Sequence, residues 1–397
     1  MTGRSIELRR VQDAAVRGKT VLVRVDYNVP VQNGEIADDE RIRSSLPTVR
    51  LLREGGAKVV LMTHLGRPEG RVVPELRLDA VGRRLQELLA HPVCKLDDSI
   101  GEAVASAIES GAPGDVFLLE NVRFHREEAM NESSFARELS RLGDIYVNDA
   151  FAAVHRAHAS TLGIADFLPA YAGLLMQREI EMLSKLLESP ERPYIAIVGG
   201  KKARSKLGAL RDLVHRVDEV LIGGGVAFSF LRATGASIGT SVVDEDLLDE
   251  VEDVIESAEE LEKMIHLPGD VVAAQALEPG AETRTVKARS IPDGWMGLDI
   301  GPETIERFAE RIAAAKTIVW TGPMGAFEVE PFSGGTRGIA DAIAASDAYS
   351  VIGGGETGDA VSRLGRSKDV SFVSTGGGAC LALLRGKSLP ALEALRA

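Results

Sequence analysis

Short aliphatic and β-branched runs alternate with amphipathic stretches along most of this chain. In the first half, residues 21–26 (VLVRVD), 58–63, 116–120 and 145–149 read as buried strands, with amphipathic stretches such as 78–89 and 135–142 between them. Beyond residue 193 the rhythm returns: 194–198, 220–222, 317–320, 349–352 and 370–373 read as strands, and the acidic stretch 244–262 as a helix with a solvated face. Strand, loop and helix in repetition predict parallel, doubly wound sheets. The two halves meet at PAYAGLLMQREIEMLSKLLESPERP, residues 169–193. There Met176, Ile180, Leu183 and Leu187 fall at helical spacing and Glu, Arg and Lys take the other face. Pro169 precedes the pattern, and Pro190 and Pro193 stop it. The expected fold is α/β: two doubly wound, Rossmann-like parallel-sheet lobes joined by a central helix.

Composition changes this picture little. A length of 397 residues exceeds what one core usually serves, so two domains are expected. With 45% hydrophobic and 26% charged residues the composition is that of a soluble globular protein. A net charge of −13 argues against nucleic-acid partners and against attraction to an anionic membrane. Two cysteines, Cys94 and Cys380, imply no disulfide framework and fit a reducing cytoplasm. No apolar run approaches a membrane span, and the opening MTGRSIELRRVQDA lacks the pattern of a secretory signal. A cytoplasmic location is the expectation.

The candidate chemistry lies at the strand ends. Gly18-Lys19-Thr20 is no phosphate loop, because Asp13 stands where a glycine is needed and the triplet precedes its strand. Asp26 and Asn28 sit beyond the first strand, where ligands gather in open α/β sheets, although both residues also suit plain turn chemistry. The strand ends at 26, 63, 120 and 149 are each followed by Arg, His or both: Arg41 and Arg43, His64 and Arg67, Arg123 and His125, His155, Arg156 and His158. One arginine after a strand is more often a solvated charge. Four such loops on one rim predict a pocket for a small, multiply charged anion. No zinc pattern accompanies His155 and His158.

In the second half the loops change character. Gly199-Gly200-Lys201-Lys202 follows a strand, an arrangement that lets backbone N–H groups approach phosphate oxygens. Lys202 and Lys206, four apart, are expected on one helical face. Glycine clusters recur at 223–225, 294–301, 322–325, 353–355 and 376–378. Gly353-x-Gly355-x-x-Gly358 matches a dinucleotide fingerprint, but the next strand ends in Val373-Ser374-Thr375 without the acidic residue that holds a ribose. A nicotinamide dehydrogenase is thus the weaker alternative.

VRVDYNVP, THLGRP, ENVRFH, HRAHAST, the loop 199–206, GWMGLDIGPET, GPMGAFE and STGGGA, in this order, closely resemble the phosphoglycerate kinase family over nearly the whole chain. The resemblance implies an N-terminal 3-phosphoglycerate lobe at 1–170 with a returning tail at 381–397, an interdomain helix at 171–189 and a nucleotide lobe at 190–380. It implies phosphoryl transfer between 1,3-bisphosphoglycerate and Mg-ADP, giving 3-phosphoglycerate and Mg-ATP, by a monomer that closes about a hinge. Asp26, Asn28, Arg41, His64, Arg67, Arg123 and Arg156 would bind the acid. Lys202, Lys206, Gly297, Pro323, Glu328, Gly354, Gly355, Glu356 and Thr357 would bind ATP or ADP, with Glu356 beside Mg2+. Arg41, Lys202 and the backbone at Gly376 to Gly378 would meet the moving phosphoryl group. The chain departs from the family pattern at Glu356 (usually Asp), Thr321 (usually Asn), Lys201, Cys380 and Ala152-Ala153. Glu356 and Thr321 motivate a further reading, a binding or regulatory protein of the same fold.

Overall fold

A computed structural model describes residues 6–397. Residues 1–5, counted above with the first lobe, lie outside the described residues. The chain divides into two compact units: Met182–Lys387, and the residues up to Glu181 together with Ser388–Ala397.

The N-terminal unit is built on a six-stranded sheet in the order Val93–Lys95, Val116–Leu118, Lys58–Met62, Thr20–Arg24, Ile145–Asn148, Ala170–Ala172, every pairing parallel. Strands covered on both faces must be apolar throughout, and Val21, Val23, Val59, Leu61, Leu118 and Val147 form their shared core with Leu46, Val49 and Leu85 from flanking helices. The order reverses at Thr20–Arg24, which sits between Lys58–Met62 and Ile145–Asn148. Beyond the carboxyl ends of these strands lies the crevice where such sheets take their ligands.

The C-terminal unit repeats the plan in the order Met264–His266, Glu219–Ile222, Tyr194–Val198, Thr317–Thr321, Tyr349–Gly353, Phe372–Ser374, again parallel throughout. Counted within this sheet the order is 3-2-1-4-5-6, the dinucleotide-fold order, with its reversal between Tyr194–Val198 and Thr317–Thr321. Residues 270–300, for which no strands were expected, add an antiparallel sheet in the order Arg284–Lys287, Asp270–Ala274, Met296–Ile300, with a bulge between Val272 and Ala273. Its strands pack Val271 and Ala273 on Phe228, Ile291 and Trp295, so Gly297 is carried on a rigid element.

The joining helix is Leu174–Glu188. It begins later than the periodicity suggested, because Ala170–Ala172 is drawn into the first sheet beside Ile145–Asn148. Met176, Ile180 and Leu183 are buried as expected, but so are Met182, Leu186 and Glu179. The buried face is wider than the heptad stripe, and Glu179 does not belong to a solvated face. Helix Gly377–Leu384 lies in the C-terminal unit, and the tail joins the N-terminal one through the Leu8–Arg396 bridge.

Candidate active site

The N-terminal site grows from the end of Thr20–Arg24. Arg24, which the sequence pattern hid inside an apolar run, is fully buried. Its Nε donates to Ser160 Oγ at 2.8 Å, one terminal nitrogen donates to the Val25 carbonyl, and the other lies 3.1 Å from His64 Nδ1. A guanidinium can only donate, so His64 Nδ1 is the acceptor and the proton of this neutral ring sits on Nε2. Glu128, also fully buried, accepts from Ser160 N at 2.8 Å and Ser160 Oγ at 2.6 Å, and so clamps the loop that carries Arg156 and His158.

The electrostatics show what the cluster lacks. Burial, then Arg24, Arg123 and Arg156, hold His64 well below the usual imidazole value. Burial and the same arginines bring His158 down to about 4, and burial with Arg156 lowers His155. Arg123 itself is pulled down to about 10, by burial and then by Arg156 and Arg24, although Glu128 and Asp26 act the other way. A guanidinium weakened by burial and then by its own kind is one whose charge a bound anion would support.

Asp26, Asn28 and Arg41 form the adjoining wall. Arg41, in the first turn of helix Glu40–Glu54, donates to Asp26 Oδ2 at 2.5 Å. Asn28 Oδ1 accepts from Gly66 N at 2.9 Å, and Arg123 donates to the Gly66 carbonyl at 2.8 Å, so both pin the loop that presents Arg67. Arg67 is exposed on that loop. The structure therefore brings Asp26, His64, Arg123 and Arg156 into one field and adds Arg24 and His158.

The C-terminal site is made mostly of backbone. Gly199 N donates to the Thr321 carbonyl and Gly200 N to the Pro323 carbonyl, each at 2.8 Å. Gly322 has φ +87°, and a Cβ there would stand 2.1 Å from the Gly199 carbonyl oxygen, so no side chain is tolerated. Gly322 N donates to Thr357 Oγ1 at 2.6 Å; Thr357 is buried, and its hydroxyl serves the loop. A Cβ on Gly354 would lie 2.6 Å from Gly377 N, which shows how closely the last two glycine loops pack.

Two expectations change here. Lys202 is extended and exposed ahead of a 3-10 turn, Ala203–Ser205, and helix Leu207–Val214 starts only afterwards, so Lys202 and Lys206 share no helical face. Two glycines and the turn delay the helix. Lys206 Nζ instead donates to Thr321 Oγ1 at 2.8 Å, and burial lowers its pKa despite Glu356 and Cys380 nearby. The N–H expected from Gly376 donates to Ser374 Oγ at 3.1 Å, which leaves Gly377 and Gly378, in the first turn of Gly377–Leu384, as the donors there. Glu356 opens helix Glu356–Arg363 and is exposed, as is Glu328. Gly297 N donates to Ser241 Oγ at 2.9 Å, and a Cβ on Gly297 would meet the Phe228 ring at 2.2 Å. Among the described residues no three His, Cys, Asp or Glu groups gather to hold a metal ion, and no helix is long and apolar enough to cross a membrane.

A lobe with uncompensated guanidinium charge and a lobe with a glycine-lined cradle on a dinucleotide-order sheet are the parts of an α/β phosphotransferase. A family model for phosphoglycerate kinase matches residues 11–387. The phosphoglycerate kinase of Pelotomaculum thermopropionicum is 51% identical over 387 residues, covering 98% of each chain, and that of Rubrobacter xylanophilus is 50% identical over 390 residues, with the same coverage. Among solved structures, the phosphoglycerate kinase of Coxiella burnetii superposes with a TM-score of 0.85 at 40% identity and that of Pyrococcus horikoshii with 0.88 at 36%, each covering 98% of both chains. The chain belongs to the phosphoglycerate kinase family and is an enzyme of phosphoryl transfer. The dehydrogenase reading falls with this.

Proposed function

We propose that 3-phosphoglycerate and 1,3-bisphosphoglycerate bind at the arginine–histidine cluster and that ATP and ADP bind at the glycine loops. The observation that carries the proposal is the geometry of the cluster, buried Arg24 against His64 Nδ1 and Arg123 on the Gly66 carbonyl, in a field that lowers Arg123 to about 10 and His158 to about 4. Arg123, Arg156, Arg67 and the Nε2–H of His64 take the phosphate and carboxylate oxygens, and Asp26 with Asn28 fixes the wall of the pocket. On the nucleotide side Gly297 and Pro323 border the base, Glu328 reaches the ribose, and Lys202, Lys206 and the backbone at Gly354, Gly355 and Thr357 meet the phosphates.

In the ATP-consuming direction a carboxylate oxygen of 3-phosphoglycerate forms a bond to the γ-phosphorus while the bond from that phosphorus to the β,γ-bridging oxygen breaks. The nucleophile is already an anion, so no general base is required. Catalysis is then positioning and charge stabilisation. Arg41 has donors to spare beyond its bond to Asp26, and with Lys202 and the Gly377 and Gly378 N–H groups it neutralises the moving phosphoryl oxygens. Glu356, a single exposed carboxylate, suits an ion that keeps waters and takes its other oxygens from phosphates, so with them it would hold Mg2+, which supplies further charge neutralisation. The two ligand sets lie on separate units, so closure about helix Leu174–Glu188 is part of the proposal, as is a monomer working in the cytoplasm.

Steady-state phosphorylation of 3-phosphoglycerate by ATP with Mg2+ tests it. Turnover of about 1–100 s⁻¹ or above is expected. No turnover with 3-phosphoglycerate still bound would overturn the proposed nucleotide site.

A further inference from the structure

We propose that Thr321 is a positioning residue for nucleotide phosphates, its hydroxyl fixing the Lys206 ammonium over the glycine loop. The inference rests on the reading of Lys206 as a phosphate ligand. Thr321 ends the strand Thr317–Thr321 at the reversal of the sheet, and it is 2% exposed. Its carbonyl accepts from Gly199 N at 2.8 Å and its Oγ1 accepts from Lys206 Nζ at 2.8 Å, so one residue fixes both the loop and the lysine that serves it. The lysine arm runs along Gly200, where a Cβ would lie 3.6 Å from Lys206 Cε.

The chemistry of the acceptor matters. A carboxylate at this position would repel phosphate and neutralise the ammonium. A hydroxyl fixes the ammonium and leaves its full charge available. Threonine is stiff at χ1 and, on a strand end, removes the freedom of a long side chain that would otherwise be lost on binding. Burial works against the charge on Lys206, and the titratable groups facing it, Glu356 and Cys380, work for it. The hydroxyl adds a third support for the charged form.

The test compares full-length Thr321→Val, Thr321→Ser and Lys206→Met with the parent in equilibrium binding of ATP with Mg2+ and in steady-state kinetics. Thr321→Val keeps the branched shape and removes the acceptor; Thr321→Ala serves if valine disturbs folding. The expected result is a rise of about tenfold in Kd and KM for ATP, with KM for 3-phosphoglycerate unchanged. With one support gone Lys206 deprotonates at lower pH, so the alkaline limb of kcat/KM for ATP moves down in pH. Thr321→Ser restores both. Unchanged ATP binding in Thr321→Val and Thr321→Ala, beside weakened binding in Lys206→Met, overturns the positioning role alone. Unchanged binding in Lys206→Met overturns the reading of Lys206 and this inference with it.

Discussion

In the proposed assignment the two units hold a polyanion by opposite means. In the N-terminal unit the proposed ligands are side chains, and burial together with the crowding of Arg24, Arg123 and Arg156 lowers Arg123, His64 and His158. In the C-terminal unit the walls are glycine backbone at the reversal of the sheet, and few charges are forced together. The first site resembles a compressed spring of charge that an anion would relax; the second is a shape that a single methyl group would fill. Charge removal should therefore injure the first site, and added volume the second.

The largest effect is expected at Arg41. Arg41→Ala should lower kcat about 10²- to 10³-fold in steady-state assays, while Arg141→Ala, on an exposed arginine paired with Glu138, should change it little. Near-native turnover in Arg41→Ala would remove that guanidinium from the transition state. Next comes Gly322→Ala, a substitution that changes no charge. With φ at +87° and a carbonyl 2.1 Å from the new Cβ, it should destabilise the C-terminal unit by roughly 3 kcal/mol in denaturant unfolding and raise KM for ATP. An unchanged midpoint would mean that the cradle is softer than its geometry.

A smaller effect concerns acid stability. His158 is held at about 4 when folded, against about 6.5 when unfolded, so between these values the unfolded chain binds more protons. Stability from this group is present above pH 6.5 and is lost as pH falls towards 4. Buried Asp299, raised to about 7, acts in the opposite sense: its contribution is lost as pH rises from about 4 towards 7. His158→Gln should flatten the fall in Tm on the acid side. An unaltered acid limb would mean that this ring does not carry the effect. The smallest change is expected for Glu356→Asp, which should leave kcat equal or higher; a large loss would show that the surrounding loop has adapted to the longer carboxylate.

Much of the fold is legible in the sequence. Alternating strands and amphipathic stretches give the doubly wound units, and the arginines and histidines after the strand ends give the cluster proposed to hold the acid. The missing parts share physical causes. Arg24 sits within VLVRVD, where neighbours of β-branched type mask it, although a charge inside such a run is itself a signal of a buried ion cluster. Glu128 and Ser160 act only through tertiary contacts, which spacing cannot report. A spacing of four predicts one helical face for Lys202 and Lys206, and the 3-10 turn Ala203–Ser205 breaks that spacing. The strand Met296–Ile300 contains Gly297 and Asp299, so its apolar pattern is weak and its packing on Phe228 decides it.

The most direct test of the contrast between the sites is an NMR titration of the His64 and His158 rings in the free protein, with 3-phosphoglycerate and, separately, with Mg-ADP. If the N-terminal cluster is the acid's pocket, 3-phosphoglycerate raises both depressed pKa values by neutralising the arginines, and Mg-ADP leaves them where they were. Rings that ignore 3-phosphoglycerate, or that respond to Mg-ADP instead, would contradict the assignment of side-chain charge to one substrate and backbone shape to the other.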